Sequence, residues 1–157
     1  MLSDLLGAIW RRTPGGLKRW TMSITNARFA VTAGGIITDG NGRVLLLKHR
    51  FRPGSGWGMP GGYINAGEQP VEALQRELRE EIGLELDQIE LFKARAFKEP
   101  QQVEIVFRCR AIGQPKQLNY EIEKAEWFLP SELPPQLPKD QAELIHQAFS
   151  DGATQPD

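Results

Sequence analysis

Apolar positions along the chain follow two periods. Over residues 70–82, Val71, Leu74, Leu78 and Ile82 recur three to four apart, the spacing of one helix face. Pro70 suits a first helical turn and Gly83 a C-terminal cap, so a helix over Pro70–Ile82 is predicted. Elsewhere the period is two. Val103, Ile105, Phe107, Cys109 and Ala111 alternate with Glu104, Arg108 and Arg110, the pattern of a strand with one buried face. "IELFKARAF" before it predicts an antiparallel partner. "RFAVTAGGIITD" and "GRVLLLKHR" are rich in β-branched and aliphatic residues, and "DGNG" between them is a turn signal. "RPGSGWGMPGGYINAG" reads as a Gly-rich loop with short extended pieces. "KAEWFLP" predicts a short strand, "SELPPQLP" a stiff connection and "KDQAELIHQAFS" a C-terminal helix.

These elements predict an α+β fold, an α/β/α sandwich with helices on both faces of a mixed sheet. Residues 29–150 form the domain. Residues 1–28 read as an extension with a short helix over Leu2–Trp10, broken by "RRTPGG", and residues 151–157 as a frayed tail. Exposed Leu2, Leu5, Leu6, Ile9 and Trp10 would need cover, which suggests a homodimer.

Composition narrows the classes. A chain of 157 residues with 40% apolar and 25% charged residues is an ordinary single globular domain. A pI of about 6.2 argues against a broad basic surface for nucleic acid. The single cysteine, Cys109, forms no intrachain disulfide, and its place in the alternating stripe predicts a core residue. There is no apolar run long enough to span a bilayer, and the N-terminus lacks the charge order of a secretory signal, so a cytoplasmic protein is expected.

Charge is nonetheless crowded at "RELREEIG". On the predicted helix Glu77, Glu80 and Glu81 stand at i, i+3 and i+4 and share a face. Three such carboxylates raise one another's pKa and cost stability unless a positive group sits among them. Arg76 and Arg79 should point largely to the other side. Carboxylate oxygens suit Mg²⁺ or Mn²⁺, whereas the same trio can also line a solvated helix face.

The wider spacing decides between these. Gly62, Glu68, Arg76, Glu77, Leu78, Glu80, Glu81, Gly83 and Leu84 occupy every specified position of the signature of the Nudix hydrolases, a match expected by chance about 10⁻⁹ times per start position. The chain therefore resembles that family. The resemblance implies a Nudix fold and metal-dependent attack of water on a diphosphate linkage in a nucleoside diphosphate derivative. It implies Glu77, Glu80 and Glu81 as ligands of Mg²⁺, for which Mn²⁺ can substitute, joined by the Gly62 carbonyl. Glu68 and Arg76 would pair and orient them. Many members carry a Glu six positions before a Trp, which here is Glu121 before Trp127; it resembles a further ligand or general base, with Glu123 and Glu126 as competitors.

The substrate is less legible. Lys48, Arg50 and Arg52 can hold phosphates or form a solvated basic edge. Trp57, Tyr63 and Phe97 can stack on a base or pack. Gly58, Gly61 and Gly62 can let substrate approach the backbone, or simply make a turn. His49 is expected on an exposed strand, and His146 on the last helix. "WGMPGG" resembles the heterogeneous Leu-Pro-Gly-Gly group. Pro100, 16 residues after Leu84, resembles a feature of ADP-ribose pyrophosphatases and also reads as a plain strand break. The expected substrate is ADP-ribose or a similar nucleotide sugar. The alternatives are a nucleoside triphosphate, a dinucleoside polyphosphate, or a domain that senses a nucleotide without cleaving it.

Overall fold

The computed structural model describes residues 11–16 and 28–152. The proposed helix over residues 2–10, and the dimer contact built on it, lie outside the described residues. Among the described residues seven strands form one mixed sheet: β1 (Ala30–Thr38), β2 (Val44–His49), β3 (Trp57–Gly58), β4 (Gly61–Tyr63), β5 (Glu85–Phe97), β6 (Gln102–Ile112) and β7 (Ile122–Phe128). Helix α1 spans Pro70–Ile82 and α2 spans Lys139–Gly152. The main path runs β3-β2-β1-β6-β5, with β4 on β1 and β7 on β2. β1 and β6 are parallel; the other pairs are antiparallel.

β2 shows why the fold has two cores. Val44, Leu45, Leu46 and Leu47 are all fully buried. Leu45 and Leu47 face α1 with Ala33, Leu74, Leu78 and Ile82. Val44 and Leu46 face α2 with Ile36, Val106, Leu144 and Ile145. A strand covered on both faces must be apolar throughout, because successive side chains alternate between them. Each such side chain stabilises the fold by about 1.5–3 kcal/mol. Cys109 is buried as expected, and burial pushes its thiol up to about 12.

α1 ends where the sequence indicated. Gly83 adopts a left-handed φ of 64°, and its N–H donates to the Arg79 carbonyl at 3.1 Å. The Gln69 N–H donates to the Glu72 carboxylate at the other end. The turn expected at "DGNG" is present: β1 and β2 run antiparallel on either side of it and pair at Thr38 with Val44, while β1 also pairs with β4 and β6. The turn itself is held by Asp39, which accepts from the Asn41 N–H and the Arg43 side chain. At the far end, α2 carries helix through Asp151 and Gly152, which were expected in the tail.

Candidate active site

α1 turns its carboxylates toward two loops. One joins β2 to β3 over residues 50–56; the other joins β6 to β7 over residues 113–121. The second loop is tied to the helix end, since the Asn119 N–H donates to the Glu81 carbonyl at 2.8 Å. Asn119 Oδ1 accepts from the Glu121 and Ile122 N–H groups, and the Arg50 N–H donates to the Glu121 carbonyl at 2.8 Å. Glu121 is thereby held beside the cluster. Its competitors are engaged elsewhere: Glu123 with Lys48 at 3.0 Å and Glu126 with Lys124 at 3.3 Å. Lys48 thus belongs to the solvated edge.

Glu81 is the buried member, 6% exposed, and its Oε2 has no hydrogen-bond partner. Burial first, then the charges of Glu77, Glu121 and Glu80, push its carboxyl up to about 8 against the opposing pull of Arg52. His49 Nδ1 lies 3.9 Å from Glu81 Oε1. Burial, with Arg52 adding to it, drops this imidazole to about 4 despite Glu121. At neutral pH His49 is neutral, so that contact is not an ion pair. His49 ends strand β2 as expected, but its side chain is only 12% exposed, close to Glu81 of α1, and no local pattern signals that.

Arg76 departs from its expected direction. Its Nε meets Glu68 Oε1 at 2.7 Å, and Nη2 reaches the Tyr63 carbonyl at 3.0 Å. Nη1 donates to Glu77 at 2.8 Å and reaches Glu80 at 3.4 Å. The predicted Glu68–Arg76 pair is present and holds the Glu68 carboxyl down to about 2. Arg76 is therefore a partner of the carboxylate face and not of the opposite side. The helix alone would turn it away; the loop over residues 64–69 brings Glu68 round to draw it back. Arg79 does point away, toward Glu85. Among the described residues no three His, Cys, Asp or Glu side chains stand in a geometry that already grips a metal ion.

The glycines serve the protein's own groups. A Cβ on Gly62 would overlap the Glu77 carboxylate, and one on Gly58 would overlap the Arg52 guanidinium. Gly61 pairs with Gly34 across β4 and β1 and lines a cavity of about 230 Å³ with Gly62. Thr32, Arg52, Tyr63, Gln102, Glu104 and Gln141 supply the cavity's polar and aromatic lining. Arg52 is largely buried and its Nη1 lacks a partner; burial lowers its pKa, while Glu81 and Glu104 oppose that. Glu104 bonds Arg95, which lies over Phe97 at 4.8 Å. Gln141 accepts from the Met59 N–H at 2.8 Å. Tyr63 stands at the rim, 65% exposed. Trp57, offered for stacking on substrate, instead meets Phe128 edge-on at 5.3 Å and packs on the α2 core, outside this cavity. Pro100 sits in the β5–β6 turn, and His146 is exposed on α2.

Thr32, Gln102, Glu104 and Gln141 went unnoticed in the sequence. Glu104 was visible as part of the polar half of an alternating strand, but only the β1–β6 pairing and the start of α2 turn it into a cavity wall. A larger cavity of about 590 Å³ lies beside α2 at the far end of β1, lined in part by Arg108 and Arg110. Those arginines are paired with Asp151 and Asp87.

The NUDIX domain model matches residues 28–148. The NAD-capped RNA hydrolase NudC of Pseudomonas aeruginosa is 31% identical over 101 residues, covering 64% of this chain and 36% of that protein. An RNA pyrophosphohydrolase of Teredinibacter turnerae is 32% identical over 105 residues, covering 64% of this chain and 56% of that one. The chain thus spans only about a third to just over half of the length of these relatives. The solved structure of a MutT NUDIX hydrolase from Burkholderia pseudomallei superposes with a TM-score of 0.68 at 27% identity, covering 77% of this chain and 98% of that one.

Proposed function

The chain belongs to the Nudix family, and on that premise we propose that it hydrolyses the diphosphate linkage of a nucleoside diphosphate derivative with a divalent cation. The observation that carries this is Glu81: a buried carboxylate with an unpartnered oxygen, pressed by Glu77, Glu80 and Glu121. Such a group is costly without a cation beside it and well satisfied with one. The donor set of hard carboxylate oxygens fits Mg²⁺ or Mn²⁺. Glu77, Glu80, Glu81, Glu121 and the Gly62 carbonyl would hold it, Glu77 and Glu80 exchanging their contacts with Arg76 for the metal. A bound cation would neutralise charge on the diphosphate and acidify a water.

The remaining chemistry belongs to the chain. Arg52 lies between the carboxylates and the cavity, where its free Nη1 suits a phosphate oxygen. Arg50 can add charge from the loop surface. The cavity beside Tyr63 has the size for one nucleobase, with Glu104 and Gln102 to accept hydrogen bonds and Gln141 to donate. Glu68 positions Arg76, and through it the helix face. Glu121 would take a proton from the attacking water where it does not itself ligate the cation.

The test is phosphatase-coupled phosphate release, with and without Mg²⁺ or Mn²⁺. ADP-ribose, the first substrate expected from the sequence, would be compared with other nucleotide sugars, nucleoside triphosphates and dinucleotides. Metal-dependent release on one class, lost in Glu81→Gln with the fold retained, is expected. Release that ignores metal, or survives Glu81→Gln, would refute the assignment.

A further inference from the structure

Two aromatic rings on the loops beside the carboxylates are exposed among the described residues. Phe51 is 70% exposed and Tyr120 73%. Their centroids are 6.2 Å apart, tilted by 58°. Both belong to the two loops that build the site. In Arg50–Phe51–Arg52 the last side chain turns inward to the cavity and Phe51 turns out to meet Tyr120. The loops are locked together there, since Arg50 Nε donates to the Tyr120 carbonyl at 3.1 Å. The neighbouring Glu121 carboxylate raises the pKa of the Tyr120 hydroxyl. Tyr120 is the chain neighbour of Glu121, so the aromatic pair stands next to a residue proposed for the reacting centre, and neither ring lines the Glu104 cavity.

We propose that Phe51 and Tyr120 form a stacking platform for a second ring, so that the preferred substrate carries a planar heterocycle on each side of its phosphate chain. This rests on the hydrolase reading and moves the preference from a nucleotide sugar to a dinucleotide. Planar rings are the chemistry that a pair of exposed, loop-held aromatics recognises, because stacking satisfies their faces without hydrogen-bond readout. Arg50 beside them supplies the positive charge that a phosphate chain between the two rings requires. One ring would enter the cavity below Tyr63, the diphosphate would cross the Arg52 and Glu81 region, and the second ring would lie on Phe51.

NADH and ADP-ribose separate the idea cleanly, since they share everything except the second ring. kcat and KM for both would be measured on wild type, Phe51→Ala and Phe51→Leu, with folding checked by circular dichroism. Both variants should lose about tenfold more kcat/KM on NADH than on ADP-ribose, chiefly through KM, as loss of one stacked ring implies. Equal losses on the two substrates, or a wild type that cleaves ADP-ribose and not NADH, would overturn the platform. Retained NADH preference in Phe51→Leu would also overturn it, because area without a ring would then suffice. Calorimetric binding of both ligands distinguishes the two levels. If wild type cleaves neither but binds NADH more tightly, and Phe51→Ala removes the difference, the hydrolase reading fails and the platform stands. Equal binding of the two ligands sinks the platform.

Discussion

At the scale of single residues, Glu81 couples charge to stability. Its carboxyl is raised to about 8 in the fold from 4.5 in an unstructured chain, so between those values the native state holds a proton that the unfolded state has released. Stability of the cation-free protein must then fall as pH rises from about 5 to 8, by at most about 1.4 kcal/mol per pH unit. Thermal melts in EDTA should show that slope, and Mg²⁺ should flatten it. Glu81→Gln should flatten it without metal; a slope unchanged by that substitution would reassign the proton. Glu68 has the opposite sign. Its carboxyl is held down to about 2 by the Arg76 hydrogen bonds, so its contribution is complete above about 4.5 and is lost as pH falls toward 2. Glu68→Gln should therefore reduce the acid-side loss of stability while leaving the neutral-to-alkaline slope in place. If the acid limb of the melting profile is the same in both proteins, the pair does not act on folding.

Elements show how a loop and a helix share one site. Arg52 from the β2–β3 loop covers Gly58 of β3, and Glu77 of α1 covers Gly62 of β4. Gly58→Ala should push Arg52 from its place and raise KM, with kcat less affected if that guanidinium binds phosphate. Gly62→Ala should instead displace Glu77 and weaken Mg²⁺ dependence, read as a higher metal concentration for half-maximal rate. Identical kinetic signatures from the two would contradict these separate roles. The elements themselves were legible in the sequence, because α1 and β6 carry their apolar residues at clean periods of 3.6 and two. The signature carboxylates were legible for the same reason, being local to one helix. The cavity was not: Thr32, Glu104 and Gln141 come from β1, β6 and α2, and only parallel pairing of β1 with β6 joins the first two. The inward turn of Arg76 and the burial of His49 were likewise set by loops that fold back on the helix, which no periodicity encodes.

At the scale of the molecule, one sheet separates two cores, and only one of them supports the carboxylates. Leu78 is on the buried face of α1, next in the chain to Glu77, whereas Ile145 is on the buried face of α2. Both are fully buried, so Leu78→Ala and Ile145→Ala should each destabilise by about 2–5 kcal/mol through lost burial and the cavity left behind. Their effects on function should differ. A void beneath α1 lets the helix shift against β4, which carries Gly62, so Leu78→Ala should also raise the Mg²⁺ requirement at temperatures where the protein is still folded. Ile145→Ala should alter stability and leave that requirement nearly as in wild type. Urea titrations give the first quantity and metal-dependent rates at 15 °C the second. The two residues lie in separate clusters on opposite faces of the sheet, so their stability losses should add in the double variant to within about 0.5 kcal/mol. A metal requirement that moves equally in both variants would mean that the sheet transmits strain from one face to the other, and that the carboxylate face is held by the whole sandwich rather than by its own core.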